Sequence, residues 1–293
     1  MEAAITARTA PPARRLGGPL WLVAPAGILL AAAFVGPILM LLSRSVFDPE
    51  PTLKHYVQIF SSPVYLRVLW ISVEIALVST LACLAVGYPT AYVLSRTQGT
   101  LRAVLLGLVL LPFWTNILVR VYAWIIMLQS RGAINLLLVD QLGLLDHPLK
   151  LVFNYTGAVI GMVHYLLPPT VLILDSTMRS VDQRLVLAAH SLGATPRRAF
   201  FRVFVPLTMP GIRAATVLIF IMGLGFFITP ALLGGRQELT MAMLINNEFT
   251  ELINWGFGSA LAVVLLALTL VGLYAYYRLQ RQAGSAARSV SHG

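Results

Sequence analysis

Residues 66–94 read LRVLWISVEIALVSTLACLAVGYPTAYVL, an apolar run in which Arg67 and Glu74 are the only charged positions. A helix crossing a bilayer needs about 20 predominantly apolar residues. This run exceeds that length, and a strand cannot be so long. Working outward, comparable runs lie at Leu20–Leu42, Leu101–Leu128, Leu151–Met178, Ile212–Leu233 and Trp255–Tyr277. The fold class is therefore all-α, a polytopic membrane protein with about six transmembrane helices.

Composition agrees. Of 293 residues, 58% are hydrophobic and 11% charged, whereas soluble domains carry about 25% charged residues. Too few polar groups exist to cover a soluble surface, so most of the outside faces lipid. The net charge of +10 sits in short segments between apolar runs, which is the membrane pattern rather than a nucleic-acid footprint. The single cysteine, Cys83, excludes an intrachain disulfide and reads as a small packing residue. The first run follows Arg14 and Arg15 but is too long for the apolar core of a signal peptide, so it reads as a retained span.

Lys/Arg bias orients the chain. With the N-terminus inside, the inner segments hold Arg14, Arg15, Arg96, Arg102, Arg179, Arg184, Arg197, Arg198, Arg202 and Arg278. The outer loops hold Asp48, Glu50, Asp140, Asp146, Glu238, Glu248 and Glu251. Both termini are then cytoplasmic. The organisation is an irregular tail over 1–19, a transmembrane domain over 20–280 and an irregular tail over 281–293.

The longest inner connection, 179–211, carries helix signals. Ser180 followed by Gln183 fits a capping box. Leu185, Ala188, Ala189 and Leu192 share one helical face. Gly193 stands where a left-handed residue ends a helix, and Thr195 and Pro196 start a second. Pro206 and Pro210 are expected to stop or bend it. Two short helices meeting at a glycine suit a docking knob for a soluble partner. They equally suit an amphipathic hairpin lying on anionic lipid.

Leu187-Ala188-Ala189-His190-Ser191-Leu192-Gly193, then nine residues, then Val203-Phe204-Val205-Pro206 resembles the Glu-Ala-Ala loop of ABC-importer permeases. Leu187 replaces the glutamate. Gly87–Tyr92, Leu111–Trp124, Phe227–Gly235 and Trp255–Ala260 are similar, in that order, to the spermidine/putrescine permease family, the first of its two permease subunits. The resemblance implies a bacterial inner-membrane location and half of a translocation pathway. It also implies a second permease subunit, two ATPase subunits and a periplasmic substrate-binding protein as partners. It makes Leu187, Ala188, Ala189, Gly193, Ala194 and Pro206 the residues that couple to the ATPase. The only lysines, Lys54 and Lys150, follow leucines, so the chain has no phosphate-binding P-loop. It is expected to need no cofactor and to leave ATP to partner subunits. No catalytic or metal constellation stands out, so the chain is not read as an enzyme.

Charge inside a span marks a cavity or a partner. Glu74 and Arg120 both fall roughly 12 Å from the same face, either paired, sharing a polar network, or each with its own partner. Asp175 reads as interfacial. For the pathway the candidates are Glu74, Trp114, Arg120, Tyr122, Phe226, Thr229 and Pro230. Gly223 and Gly225 serve either pathway or packing. Phe226 replaces a glutamate found in some polyamine-type relatives, and Trp114, Tyr122, Trp124 and Phe226 offer cation–π faces instead. The competing reading is an ion-coupled secondary transporter using Glu74 and Asp175, although no inverted repeat is visible.

Overall fold

The structure is a computed structural model that describes residues 20–47 and 50–290. The expected N-terminal tail, 1–19, lies outside the described residues. Among those described there are helices and no strands. In chain order the helices are α1 (Leu20–Leu30), α2 (Gly36–Phe47), α3 (Lys54–Ser61), α4 (Pro63–Arg96), α5 (Gly99–Trp114), α6 (Ile117–Leu128), α7 (Ala133–Asn135), α8 (Tyr155–Ser180), α9 (Gln183–Ser191), α10 (Pro196–Ala199), α11 (Val205–Leu224), α12 (Ile228–Leu233), α13 (Met241–Thr250) and α14 (Trp255–Val290).

Among the described residues six segments are long and apolar enough to cross a membrane, the number read from sequence. Their large apolar side chains remain exposed along much of their length. In a bilayer that surface meets lipid, while the helices satisfy their own backbone hydrogen bonds.

The core is α4, α8 and α11. Cys83 donates to the Val163 carbonyl at 3.6 Å. A Cβ on Gly87 would sit 3.0 Å from Thr170. Both registers advance together, so α4 and α8 are parallel and the chain crosses once between them, over α5 and α6. On α11, Gly211 lies against Thr177 and Gly223 against Ala76 and Met162, so α11 runs antiparallel to α8. These glycines admit close backbones, which is how apolar helices associate where lipid removes the hydrophobic drive between them. Gly223 thus serves packing, and Gly225 caps the end of α11.

Four expectations are corrected. The run Leu101–Leu128 is two helices, broken at Thr115 and Asn116. Asn116 accepts from the Leu118 N–H at 2.8 Å and starts α6 afresh. The run Ile212–Leu233 breaks after Leu224 and resumes as α12. Pro206 and Pro210 do not stop the chain, for α11 passes through Pro210. The helix instead widens to a π turn at Phe200–Phe204, two residues before Pro206, just as Ala31–Val35 widens two residues before Pro37. Proline lacks an N–H and crowds the carbonyl of the preceding turn, and a widened turn absorbs both effects. Finally, α14 continues as helix to Val290, so residues 281–290, expected to be irregular, prolong it. Their alanines, arginines and glutamine are strong helix formers.

Candidate functional site

Two features stand out, a helical knob and a polar strip among broken helices. The knob begins where α8 ends. Asp182 accepts from the Arg184 N–H at 2.9 Å and caps α9. The capping box expected at Ser180 does not form. That residue is still inside α8, and its hydroxyl donates back to the Thr177 carbonyl at 2.7 Å.

Gly193 closes α9 at φ +83. Its N–H donates to the His190 carbonyl at 2.9 Å, and that of Ala194 to Ala189 at 3.0 Å. This is the left-handed stop that favours glycine, and a Cβ there would strain the backbone while touching nothing within 4 Å. Thr195 then caps α10, with Pro196 in its first turn.

From Pro196 the chain is helical to Leu224, so the knob is joined to a crossing without a flexible hinge. Its inner side is aromatic. Phe204 is buried, Phe200 and Phe204 pack on Tyr92, and Arg96 lies over Tyr92 and Phe204 at 5.1 and 5.5 Å. Its outer side is uncovered and mixes leucines with the exposed Arg184, Arg197 and Arg198. Leu187 is 63% and Leu192 89% exposed; Ala188 and Pro206 are exposed, and Ala189 and Ala194 half-buried. Of the six coupling candidates, Leu187, Ala188 and Ala189 lie on α9, Gly193 and Ala194 in the turn after it, and Pro206 in the first turn of α11.

Behind the knob, Arg102 on α5 grips Asp175 on α8 through two hydrogen bonds, at 2.7 and 3.2 Å, and donates to the Leu94 carbonyl of α4 at 2.7 Å. Asp175, expected to be interfacial, is buried. The pair joins three helices beneath the knob. Sequence reading missed it because the partners are 73 positions apart and only the folded path brings them together.

The polar strip forms where α5 and α11 break. Arg120 donates to the Pro112 and Thr115 carbonyls and to the Thr115 hydroxyl, covering acceptors that the break releases. Its guanidinium lies 5.7 Å from the Tyr165 ring centroid. Tyr165 stacks on Phe226 at 4.3 Å and on Phe113 at 6.5 Å. Trp124 meets His164 edge to face at 5.4 Å.

Glu74 does not pair with Arg120. It lies beside Tyr155, whose hydroxyl is buried. Tyr155 and Tyr165 are ten residues apart on α8, roughly 15 Å, so the two charges sit at different depths. Sequence reading placed them level because it counted along two separate helices.

Of the other pathway candidates, Phe226 joins the strip. Thr229 and Pro230 are buried on α12, with Thr229 against Gly161, and serve packing there. Trp114 is 89% exposed and Tyr122 is also exposed, so neither belongs to the strip. Tyr155, Tyr165 and His164 were missed. A single aromatic or His among apolar residues carries no signal until another helix meets it.

A helical protein with six apolar crossings, a helical knob and a mid-membrane polar strip is a transport permease. Residues 84–284 match the family described as the binding-protein-dependent transport system inner membrane component, and the chain belongs to that family. It is similar to the spermidine/putrescine transport system permease protein PotB of Haemophilus influenzae, 39% identical over 78% of this chain and 80% of that one. PotB of Escherichia coli K12 is 37% identical over 78% and 83%. A bacterial alginate ABC transporter, crystallised with its alginate pentasaccharide-bound periplasmic protein, contains a chain of the same fold. Its TM-score is 0.77 at 17% identity, covering 90% of this chain and 93% of that one. The protein is thus a multi-pass inner-membrane subunit of a multi-subunit ABC importer, a transport protein rather than an enzyme.

Proposed function

We propose that this chain is one of two permease subunits of a polyamine importer, driven by two ATPase subunits and fed by a periplasmic substrate-binding protein. The observation that carries the reading is the knob, its leucines and arginines uncovered, continuous with a crossing helix. Closure of a partner around Leu187, Ala188 and Leu192 would move Pro196–Leu224 as one rod, and the break after Leu224 would then shift the strip. The Lys/Arg bias puts the knob and both termini in the cytoplasm. The likeness to the spermidine/putrescine permeases supports the substrate class. ATP binds to the partners, and this chain uses no cofactor. A carrier coupled to ions through Glu74 and Asp175 is disfavoured, since Asp175 is held by Arg102.

The test is detergent pull-down of the tagged chain, co-expressed with its neighbouring genes, against Gly193→Trp. Wild type brings down an active ATPase. The variant, strained at a positive φ and bulky on the docking face, brings down little. A wild-type eluate without ATPase refutes the reading.

A further inference from the structure

The end of α4, the start of α5 and the end of α8 enclose a polar cleft of about 330 Å³, lined by Ser95, Gln98, Arg102, Arg179 and Gln183 among others. An adjoining cleft of about 310 Å³ shares Ser95, Gln98 and Gln183 and adds Arg96. Arg96 and Arg179 are exposed, and among the described residues no carboxylate lines either cleft. Further along, the same three helices leave an apolar wedge of about 480 Å³, lined chiefly by Val93, Leu94, Leu105, Leu108, Pro112 and Leu167. The helix faces agree in register. Thr97, in the cleft, follows Val93 and Leu94 by one turn, and Arg102 precedes Leu105 by one. Arg102 lines the cleft and donates to the carbonyl of Leu94, which lines the wedge, so the two spaces meet at that contact. Leu101, Val104 and Leu108 are exposed at a spacing of three and four on α5, an apolar track leading past it.

We propose that this seam binds an anionic phospholipid, with its phosphate between Arg96 and Arg179 and one acyl chain along α5 in the wedge. A basic pocket between membrane helices at the cytoplasmic face suits such headgroups, and the orientation proposed above puts this end of α4 and α8 on that face. Arg102 is occupied by Asp175 and the Leu94 carbonyl, so the two exposed arginines supply the charge. Their guanidinium forks match phosphate oxygens, and the Gln98 and Gln183 amides offer further donors. From Arg102 to Pro112 is about 15 Å of helix, half the roughly 30 Å apolar core of a bilayer. The wedge therefore has the depth of one leaflet. A soluble anion would use the clefts and leave the wedge unfilled; the apolar continuation is what selects a lipid. Gln183 begins α9, so a bound headgroup also touches the base of the knob.

The experiment purifies the full chain in mild detergent after co-expression with its neighbouring genes. It titrates phosphatidylglycerol or phosphatidylcholine and reads bound lipid by native mass spectrometry. Wild type binds phosphatidylglycerol about tenfold or more tightly than phosphatidylcholine. Arg96→Gln with Arg179→Gln weakens phosphatidylglycerol about thirtyfold, the loss of two arginines beside a headgroup, and Arg96→Lys with Arg179→Lys largely keeps it. Arg202→Gln with Arg278→Gln, two exposed charges outside the clefts, leaves binding near wild type. Leu108→Trp, at an exposed position, fills the wedge and weakens binding about tenfold. The proposal is overturned if the two lipids bind alike, if the Arg96 and Arg179 variant loses no more than the Arg202 and Arg278 variant, or if Leu108→Trp binds as wild type does. Displacement by glycerol 3-phosphate would assign the clefts to a soluble phosphate, and loss of the lipid whenever an ATPase is bound would assign them to that partner; either result also overturns it.

Discussion

Removing Arg102 should cost more than neutralising Asp175, although the two share one ion pair. In Arg102→Ala the Asp175 carboxylate, 7% exposed in its side chain, loses both its donors and stays buried. Breaking a buried pair in this way costs about 3–5 kcal/mol. The Leu94 carbonyl is not stranded, since it still accepts from the Thr97 hydroxyl at 2.9 Å. In Asp175→Asn the freed group is the guanidinium of a side chain that is 19% exposed. It reaches water and keeps an amide oxygen as acceptor, so the loss is about 1.5–3 kcal/mol, that of a charged hydrogen bond. Arg102→Met with Asp175→Leu removes both charges and should recover more than half the loss of Arg102→Ala. The assay is already in the chain. Cys83 is its only cysteine and is fully buried, so a thiol-reactive fluorophore reports unfolding. At about 2–4 °C per kcal/mol, Arg102→Ala should lower the midpoint by about 10 °C and Asp175→Asn by about half that. Equal shifts for the two single variants, or a double variant showing their sum, would refute the reasoning.

Two further outcomes follow from the packing. A Cβ on Gly161 would run into the Thr229 and Leu233 side chains, so Gly161→Val should push α12 off α8. It should cost about 1–3 kcal/mol, with a lower midpoint in the thiol assay and loss of substrate transport. Glu248, on α13, is buried with one carboxyl oxygen unpartnered, and burial raises its pKa above the ordinary 4.5. Between these values the folded chain holds a proton that the unfolded chain has released. Stability should therefore be greatest below pH 4.5, decline as pH rises through that value and level off above the folded pKa. Glu248→Gln should flatten this part of a melting-versus-pH curve, and a variant that keeps the slope places its origin elsewhere.

The helical knob was legible because its signals are local. Gly193 at φ +83, Thr195 as a cap and Pro196 in the first turn each obey a rule that spans a few residues. The Ser180 cap failed because the boundary of α8 lies beyond it, and that boundary is set by packing along the whole helix. Arg120 was recognised as costly in lipid, but its partners were not. They are backbone acceptors freed at a break, which hydropathy reads straight through because both halves are equally apolar.

The sequence by itself determined the membrane environment, the number of crossings, the knob and the resemblance that led to the family. Length, apolarity and short motifs dictate these without reference to any distant residue. Only the tertiary structure decided that α4 and α8 run parallel, that Arg102 holds Asp175, and that Glu74 lies beside Tyr155 rather than Arg120. Each depends on the rotation and depth of one helix against another. Those are settled by small residues such as Gly87, Gly211 and Gly223, where backbones approach closely enough for neighbouring side chains to choose their partners.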